Sequence, residues 1–512
     1  MLYVSIFVEL LRSRPALAVW LAALAQAALW TLVPTVFYSG PPGELPTVLA
    51  IGNEWQLGTY LGPPLAYWLA EGAFVLFGST LFGVYLLSQA CVVLTYWSVF
   101  LLGRSIVGAQ HAALAVLLMV GISAFTVPTP DFGPVTLSMA LWAAILLHYW
   151  RAVGEGRRGY WVALAVEVGL LLLTGYAGLL FIGVLVLFTI ANRQARRSLR
   201  STDPWLAALV AIVVLAPHLL WLAESGPGLP AGLAGFRMPI LEDFNTWLRQ
   251  VALVLASHAG LVVLVLLVVG WPWAQREPAP VVVRVPIAPF ARRFVYTFAA
   301  VPALLATIVS ALAGWSEPVG GIAPLVILSG LAVIVTAGDG IELGHQQAVI
   351  SAWFGLLLVP PVLAILALLV LPWLAVDLNV NKPAGTIARF FSDSFQRRIG
   401  TPLRVVAGDR RTAALIALGS SSRPSLYLDA NPERSPWVTP QDVRAKGAIV
   451  VWPTTDTAGT PPPAIRQRFP DIVPETTRTF ERPVAGRLPI LRYGWAVIRP
   501  RPNDDGRPED KK

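Results

Sequence analysis

Two stretches of this chain place acids where acids are unusual. GELPTVLAIGNEWQLGTYLGPPLAYW, from Gly43 to Trp68, sets Glu44 and Glu54 between two apolar runs. VPTPDFGP sets Asp131 in a short loop between two more. A carboxylate beside a hydroxyl can take its proton as the hydroxyl attacks. A second carboxylate can orient that hydroxyl or, through a cation, help to neutralise a departing phosphate. Two acids held at a lipid–water boundary therefore suit group transfer from a lipid carrier. The plain alternative is that each is a solvated loop acid. Arg237 and Arg249 bracket FRMPILEDFNTWLRQ. They read either as phosphate ligands, because the guanidinium fork pairs two oxygens, or as arginines snorkelling to an interface. Glu242 and Asp243 in that segment read as helix caps or solvated acids. Glu167 lies inside an apolar run, where an acid is costly and often functional; it either faces a cavity or is hydrogen-bonded to a neighbour. The five histidines show no ligand spacing, so no zinc site is expected.

The elements that must position these residues are apolar. Of 512 residues, 56% are hydrophobic and 13% charged, against about 25% charged in a soluble domain. Mean hydropathy is +0.65. Runs of about twenty apolar residues, enough to cross a hydrocarbon core, fall at 15–37, 80–102, 108–127, 133–150, 160–175, 177–192, 204–223, 247–270, 294–314, 320–337 and 347–375. No alternating ten-residue pattern suggests a barrel. The expectation is a polytopic α-helical membrane protein of about eleven spans, the fifth and sixth joined at Thr174 to Gly178 and open to reading as one kinked element. The first run continues past a cleavage-like Ala-Gln-Ala, so it is read as an uncleaved anchor. Cys91 is the single cysteine and reads as a packed small hydrophobe.

Arginines set the orientation. Arg12, Arg14, Arg104, Arg151, Arg157, Arg158, Arg193, Arg196, Arg197, Arg200, Arg276, Arg284, Arg292 and Arg293 all fall on one side if the N-terminus is cytoplasmic. The net charge of +9 then reflects membrane topology, not nucleic-acid binding. The loops holding Glu44 and Asp131 and the loop from Glu224 to Thr246 then face outward, and an odd span count puts the tail outside as well. AGDGIELGH lacks a P-loop lysine and reads as a cytoplasmic loop. The expected domains are a membrane domain, 1–376, and a small extracytoplasmic α/β domain, 377–500. In the latter TIARFFSDSFQRRI is helical and LRVVAGD, SLYLDA and GAIVVW are strand-prone. The polar residues 501–512 are expected to be disordered.

Pro63 and Pro64 open PPLAYWLAEGAFVLFG, nineteen residues after Glu44. That segment, TPDFGPVTLSMALWAAILLHYW around Asp131, LLLLTGYAGLLF around Tyr176 and PWLAALVAIVVLAPHLLW resemble motifs of the GT-C membrane glycosyltransferases. The similar branch is the bacterial aminoarabinose-transferase and protein-mannosyltransferase-like group of glycosyltransferase families 39 and 83. The resemblance implies a sugar transferred, with inversion, from a polyprenyl-phosphate donor to a hydroxyl of a lipid, glycan or protein outside the bacterial inner membrane. It implies Glu44 and Asp131 as catalytic carboxylates facing one cavity, and Pro63, Pro64, Tyr67, Trp68, Tyr176, Arg237 and Arg249 as substrate-binding residues. No cofactor is expected, a divalent cation being the one addition left open.

The departures from that pattern are specific. The family's catalytic Asp is Glu44, its following Glu is Leu45, the His before Pro-Pro is Gly62, and the Lys of its Leu-Ser-Lys-Tyr turn is Gly175. Two alternatives follow. One is a GT-C-fold binding or assembly subunit without activity. The other is a lipid transporter or flippase, for which internal repeats with broken helices would be expected; none is visible.

Overall fold

The computed structural model describes residues 2–126, 131–224, 241–269, 281–284, 286–342 and 346–501. Arg237, His345 and the tail 502–512 lie outside the described residues. The chain forms two compact units, one of 1–36, 61–66 and 76–364 and one of 37–60, 67–75 and 365–512.

The first unit is helical, and its helices follow the apolar runs. Pro15–Phe37, Leu81–Val107, Asp203–Glu224 and Pro289–Leu312 are each long and apolar enough to cross a membrane. With Gln347–Leu374 they make five such helices among the described residues, or up to seven if each bent pair is one span. One bent pair, Leu241–Ala256 and Ala259–Val269, replaces the single span expected at 247–270. Other expected spans are shorter helices: Ala109–Met119, Tyr160–Thr174, and Ile322–Leu325 followed by Ser329–Thr336. Continuous hydropathy does not reveal such breaks, because a break changes backbone direction and not side-chain polarity. AGDGIELGH also differs from the expected loop: Gly340–Glu342 pairs antiparallel with Val281–Val283.

Basic and polar groups gather at one end of these helices. At one end Gln110 Nε2 donates to the Arg12 carbonyl, and a cavity is lined by Arg12, Gln194 and Arg284. The Arg284 guanidinium donates to the carbonyls of Ile334 and Val335, orphan acceptors at the end of Ser329–Thr336. At the other end Ala177 approaches Gly320, and Val135 approaches Gly321, so the turns after Asp131 and Thr174 converge. Asp203–Glu224 leaves Leu206, Leu209, Ile212, Val213 and Leu220 exposed. Apolar faces of that size call for lipid.

The second unit holds helix α1 (Leu45–Gly52), most of α2 (Leu65–Leu76), α3 (Ala384–Ile399), α4 (Arg410–Gly419) and α5 (Pro440–Lys446). Its strands are β1 (Val405–Gly408), β2 (Ser425–Tyr427), β3 (Ala448–Pro453), β4 (Arg478–Phe480) and β5 (Leu491–Ile498). They form one sheet in the order β2-β1-β3-β5-β4, with β1 parallel to β2 and β3, and β5 antiparallel to β3 and β4. β1 and β3 are buried along almost their whole length, which is why they read as continuous Val/Ile runs. Trp452, Tyr427, Val405 and Val450 form a core with Val438 and Ile465. Phe390 and Phe391 of α3 pack edge-on against Trp495. Gly52 lets α1 lie against α2: a Cβ there would come within 2.5 Å of the Tyr67 carbonyl oxygen.

Candidate active site

Glu44 stands one residue before α1, and Pro46 in that helix's first turn suits a position with no amide to donate. Its carboxylate does not cap its own helix. It reaches α4 instead. Arg410 Nη2 donates to Glu44 Oε2 at 2.6 Å. Arg411 donates to Oε1 from Nη2 at 3.0 Å and from Nε at 3.2 Å. The Thr47 hydroxyl adds a long contact of 3.4 Å to Oε2.

The two arginines are delivered by a tight turn. β1 ends at Gly408, whose φ is +116° and whose hypothetical Cβ would lie 1.9 Å from the Val451 carbonyl oxygen. Asp409 then caps α4, accepting from the Thr412 amide at 3.0 Å and its hydroxyl at 2.7 Å. Cations in the first turn oppose the helix dipole, and here the Glu44 anion offsets that cost. Burial pulls the Glu44 carboxyl upward, but the charges and hydrogen bonds of Arg410 and Arg411 outweigh it and hold the group below its ordinary value. Its side chain remains 40% exposed, so the anion is reachable from solvent.

A second ion pair ties α1 and α2 to the segment after α4. Arg423, in the left-handed region at φ 45°, donates to Glu71 Oε2 at 2.6 Å and to the Leu49 carbonyl at 3.2 Å. Its guanidinium also lies over Phe74. Glu71 is 3% exposed. Glu54, by contrast, meets Ser425, and burial outweighs the more distant charges of Lys446 and Arg423 and raises its carboxyl above the usual range.

Of the residues expected to bind substrate, Pro63, Pro64 and Tyr67 are buried. Tyr67 hydrogen-bonds Thr59, and Trp68 Nε1 donates to the Gln56 carbonyl at 3.0 Å. Tyr67 and Trp68 thus hold the first loop in shape. In the first unit Asp131 precedes helix Pro134–Tyr149, and its carbonyl accepts from the Thr136 hydroxyl at 3.2 Å. The Tyr176 hydroxyl meets His218 Nε2 at 2.9 Å. Arg249 lies exposed in Leu241–Ala256, and Asp243 is buried there. Glu167 meets His148 Nδ1 at 2.7 Å, which favours the hydrogen-bonded reading over a cavity acid. Among the described residues no group of three or more His, Cys, Asp or Glu is placed to hold a metal ion.

Sequence reasoning missed Arg410, Arg411 and Arg423. The signal for the first two was a pair of arginines directly after a strand and a Gly-Asp turn, where dipole preference disfavours cations. Nothing in the sequence marked Arg423.

Residues 62–221 match the model of a family described as dolichyl-phosphate-mannose-protein mannosyltransferase. The fold over the described chain is the GT-C fold of membrane glycosyltransferases, as the motifs led us to expect. It is similar to ArnT from Cupriavidus metallidurans bound to undecaprenyl phosphate, at a TM-score of 0.60 and 14% identity, covering 94% of this chain and 97% of that one. The apo state of the same protein superposes at a TM-score of 0.55, with 14% identity over the same shares. No curated protein matches in sequence.

Proposed function

We propose that this chain transfers a sugar from a polyprenyl-phosphate donor to a hydroxyl acceptor at the extracytoplasmic face of the bacterial inner membrane, with inversion. The observation that carries this reading is one carboxylate gripped by two guanidiniums at the motif position: Glu44 with Arg410 and Arg411. A base and a phosphate clamp are the two groups that this transfer needs. The acceptor oxygen forms a bond to the anomeric carbon, the bond from that carbon to the phosphate oxygen breaks, and its electron pair leaves with polyprenyl phosphate. The acceptor proton goes to Glu44. While both arginines hold it, Glu44 is a weak base. An incoming phosphate competes for the same two forks, and each guanidinium it draws away returns proton affinity to the carboxylate. Donor arrival thus both neutralises the leaving group and arms the base. A divalent cation would add charge for the phosphate; the clamp supplies two positive charges without it.

Substitution tests this. Glu44→Gln keeps the volume and removes the proton acceptor, so transfer of radiolabelled sugar from a polyprenyl-phosphate donor should fall about 10²- to 10⁴-fold. Glu44→Asp, about 1.5 Å shorter, should also lose activity because Arg410 and Arg411 are spaced for the longer acid. Glu54→Gln is the control and should transfer normally. Full activity in Glu44→Gln would remove the assignment and leave Asp131 as the first candidate base.

The same clamp favours a second reading, a binding subunit in which Glu44 only ties α1 to α4. That reading predicts no transfer by the parent protein, and a lowered melting temperature in Glu44→Gln as its one consequence.

A further inference from the structure

In the sheet of the second unit, β1 lies between β2 and β3. The chain leaves β1 through α4 to β2 on one side, then crosses through α5 to β3 on the other. The strand order therefore reverses beside β1. In open α/β sheets, ligands bind outside the carboxyl ends of the strands at such a point. A cavity of about 350 Å³ opens there. Asp409 and Thr412 border it beyond β1, and Thr454 and Thr455 border it beyond β3. That volume suits one small ligand.

Its charges are unbalanced. Lys382, Arg411, Arg482 and Arg492 line it against Asp377 and Asp409. Arg482 is matched by Asp377 at 2.7 Å and Arg411 by Glu44 at 3.0 Å, while Asp409 caps α4. Lys382 Nζ donates only to the neutral Asn379 side chain at 2.9 Å. Arg492 Nη1 donates only to the Thr455 carbonyl at 2.9 Å. Among the described residues neither of these two cations has an acidic partner. Tyr493 also lines the cavity; burial and the nearby carboxylates push its hydroxyl up to about 12, so it remains a neutral donor.

We propose that this cavity binds an anionic sugar, with Lys382 and Arg492 holding its phosphoryl or carboxylate oxygens and the threonine and tyrosine hydroxyls facing its ring hydroxyls. That the sugar belongs to the acceptor rests on the transferase reading above; the binding does not. Neither the N-terminus of α4, already capped by Asp409, nor Glu44 is needed for it.

Calorimetric titration of the full chain in detergent micelles, without donor, tests the assignment. The probes are glucose 1-phosphate, glucuronate, glucose and inorganic phosphate. A charged sugar should bind at least about tenfold tighter than glucose, the range expected for a charge-assisted hydrogen bond. Whichever of glucose 1-phosphate and glucuronate binds tighter identifies the oxyanion. Lys382→Met should weaken that binding about tenfold, and Lys382→Arg should keep it within about threefold. Three results would overturn the proposal: glucose binding as well as the charged sugars, inorganic phosphate binding as tightly as glucose 1-phosphate, or Lys382→Met leaving affinity unchanged in protein that melts normally. A chain that transfers sugar yet binds no probe overturns the cavity alone. One that binds a charged sugar yet transfers nothing overturns the transferase reading alone.

Discussion

At the scale of single residues, the state of Glu44 governs how the proposed chemistry responds to pH. Arg410 and Arg411 face its carboxylate, with the Thr47 hydroxyl beside it. They lower its proton affinity below the ordinary value of 4.5. A carboxyl depressed in the folded state contributes stability above its unfolded value and loses it as pH falls through the folded one. Glu44 is 40% exposed, so solvent screens that contribution and activity is the better readout. In the parent protein the acid limb of kcat/KM should lie below 4.5. Arg410→Gln removes a lowering influence and leaves burial in place, so the limb should move up in pH. An unmoved limb, or one displaced downward, would show that Glu44 is not the titrating base. Glu54, raised by burial, makes the contrast: two acids ten residues apart in one loop are pushed in opposite directions by what they face.

At the scale of elements, the buried pair of Glu71 and Arg423 makes α2 part of the second unit. Glu71 is 3% exposed and the Arg423 side chain 20%, so screening is weak. Removing one member of such a pair strands the other, at a cost of about 3–5 kcal/mol. Glu71→Ala should therefore lower the thermal unfolding midpoint of the protein in detergent, and Glu71→Gln, which keeps an acceptor for Arg423, should lower it less. A normal midpoint in Glu71→Ala would show that packing alone holds α2. This element also marks where the sequence stops being legible. PPLAYWLAEGAFVLFG reads as an amphipathic interfacial segment, and its single acid gives no hint of a partner 352 residues later. The apolar runs and the three named strands were readable because burial on both faces leaves long stretches of Val, Ile and Leu. β5, LRYGWAVI, was not, because Arg492, Tyr493 and Gly494 interrupt its apolar run. Motif spacing singled out Glu44 as a candidate; the clamp on it depends on contacts that no local pattern encodes.

At the scale of the whole molecule, the helices of the first unit gather Arg12, Gln194 and Arg284 at one end, and the turns after Asp131 and Thr174 at the other. From positive-inside asymmetry we propose that the first end is cytoplasmic and that the C-terminal sheet is extracytoplasmic. A reporter active only outside the cytoplasm, fused beyond Arg501, should be active. A well-expressed but silent fusion, with a cytoplasm-dependent reporter bright at the same position, would invert the topology.

The second unit is assembled from segments far apart in the chain, and this gives it a history during synthesis. Glu44 and Arg410 are separated by 366 residues. At about 5–20 residues per second, the first loop waits roughly 20–70 s between its own emergence and that of its partners. During that interval the guanidiniums that Glu44 and Glu71 meet in the folded protein have not been made. A chain released early carries every motif of the first loop and neither arginine that grips Glu44. A helix made late, α4, therefore supplies the clamp for an acid made early, and no chain that ends before it holds both.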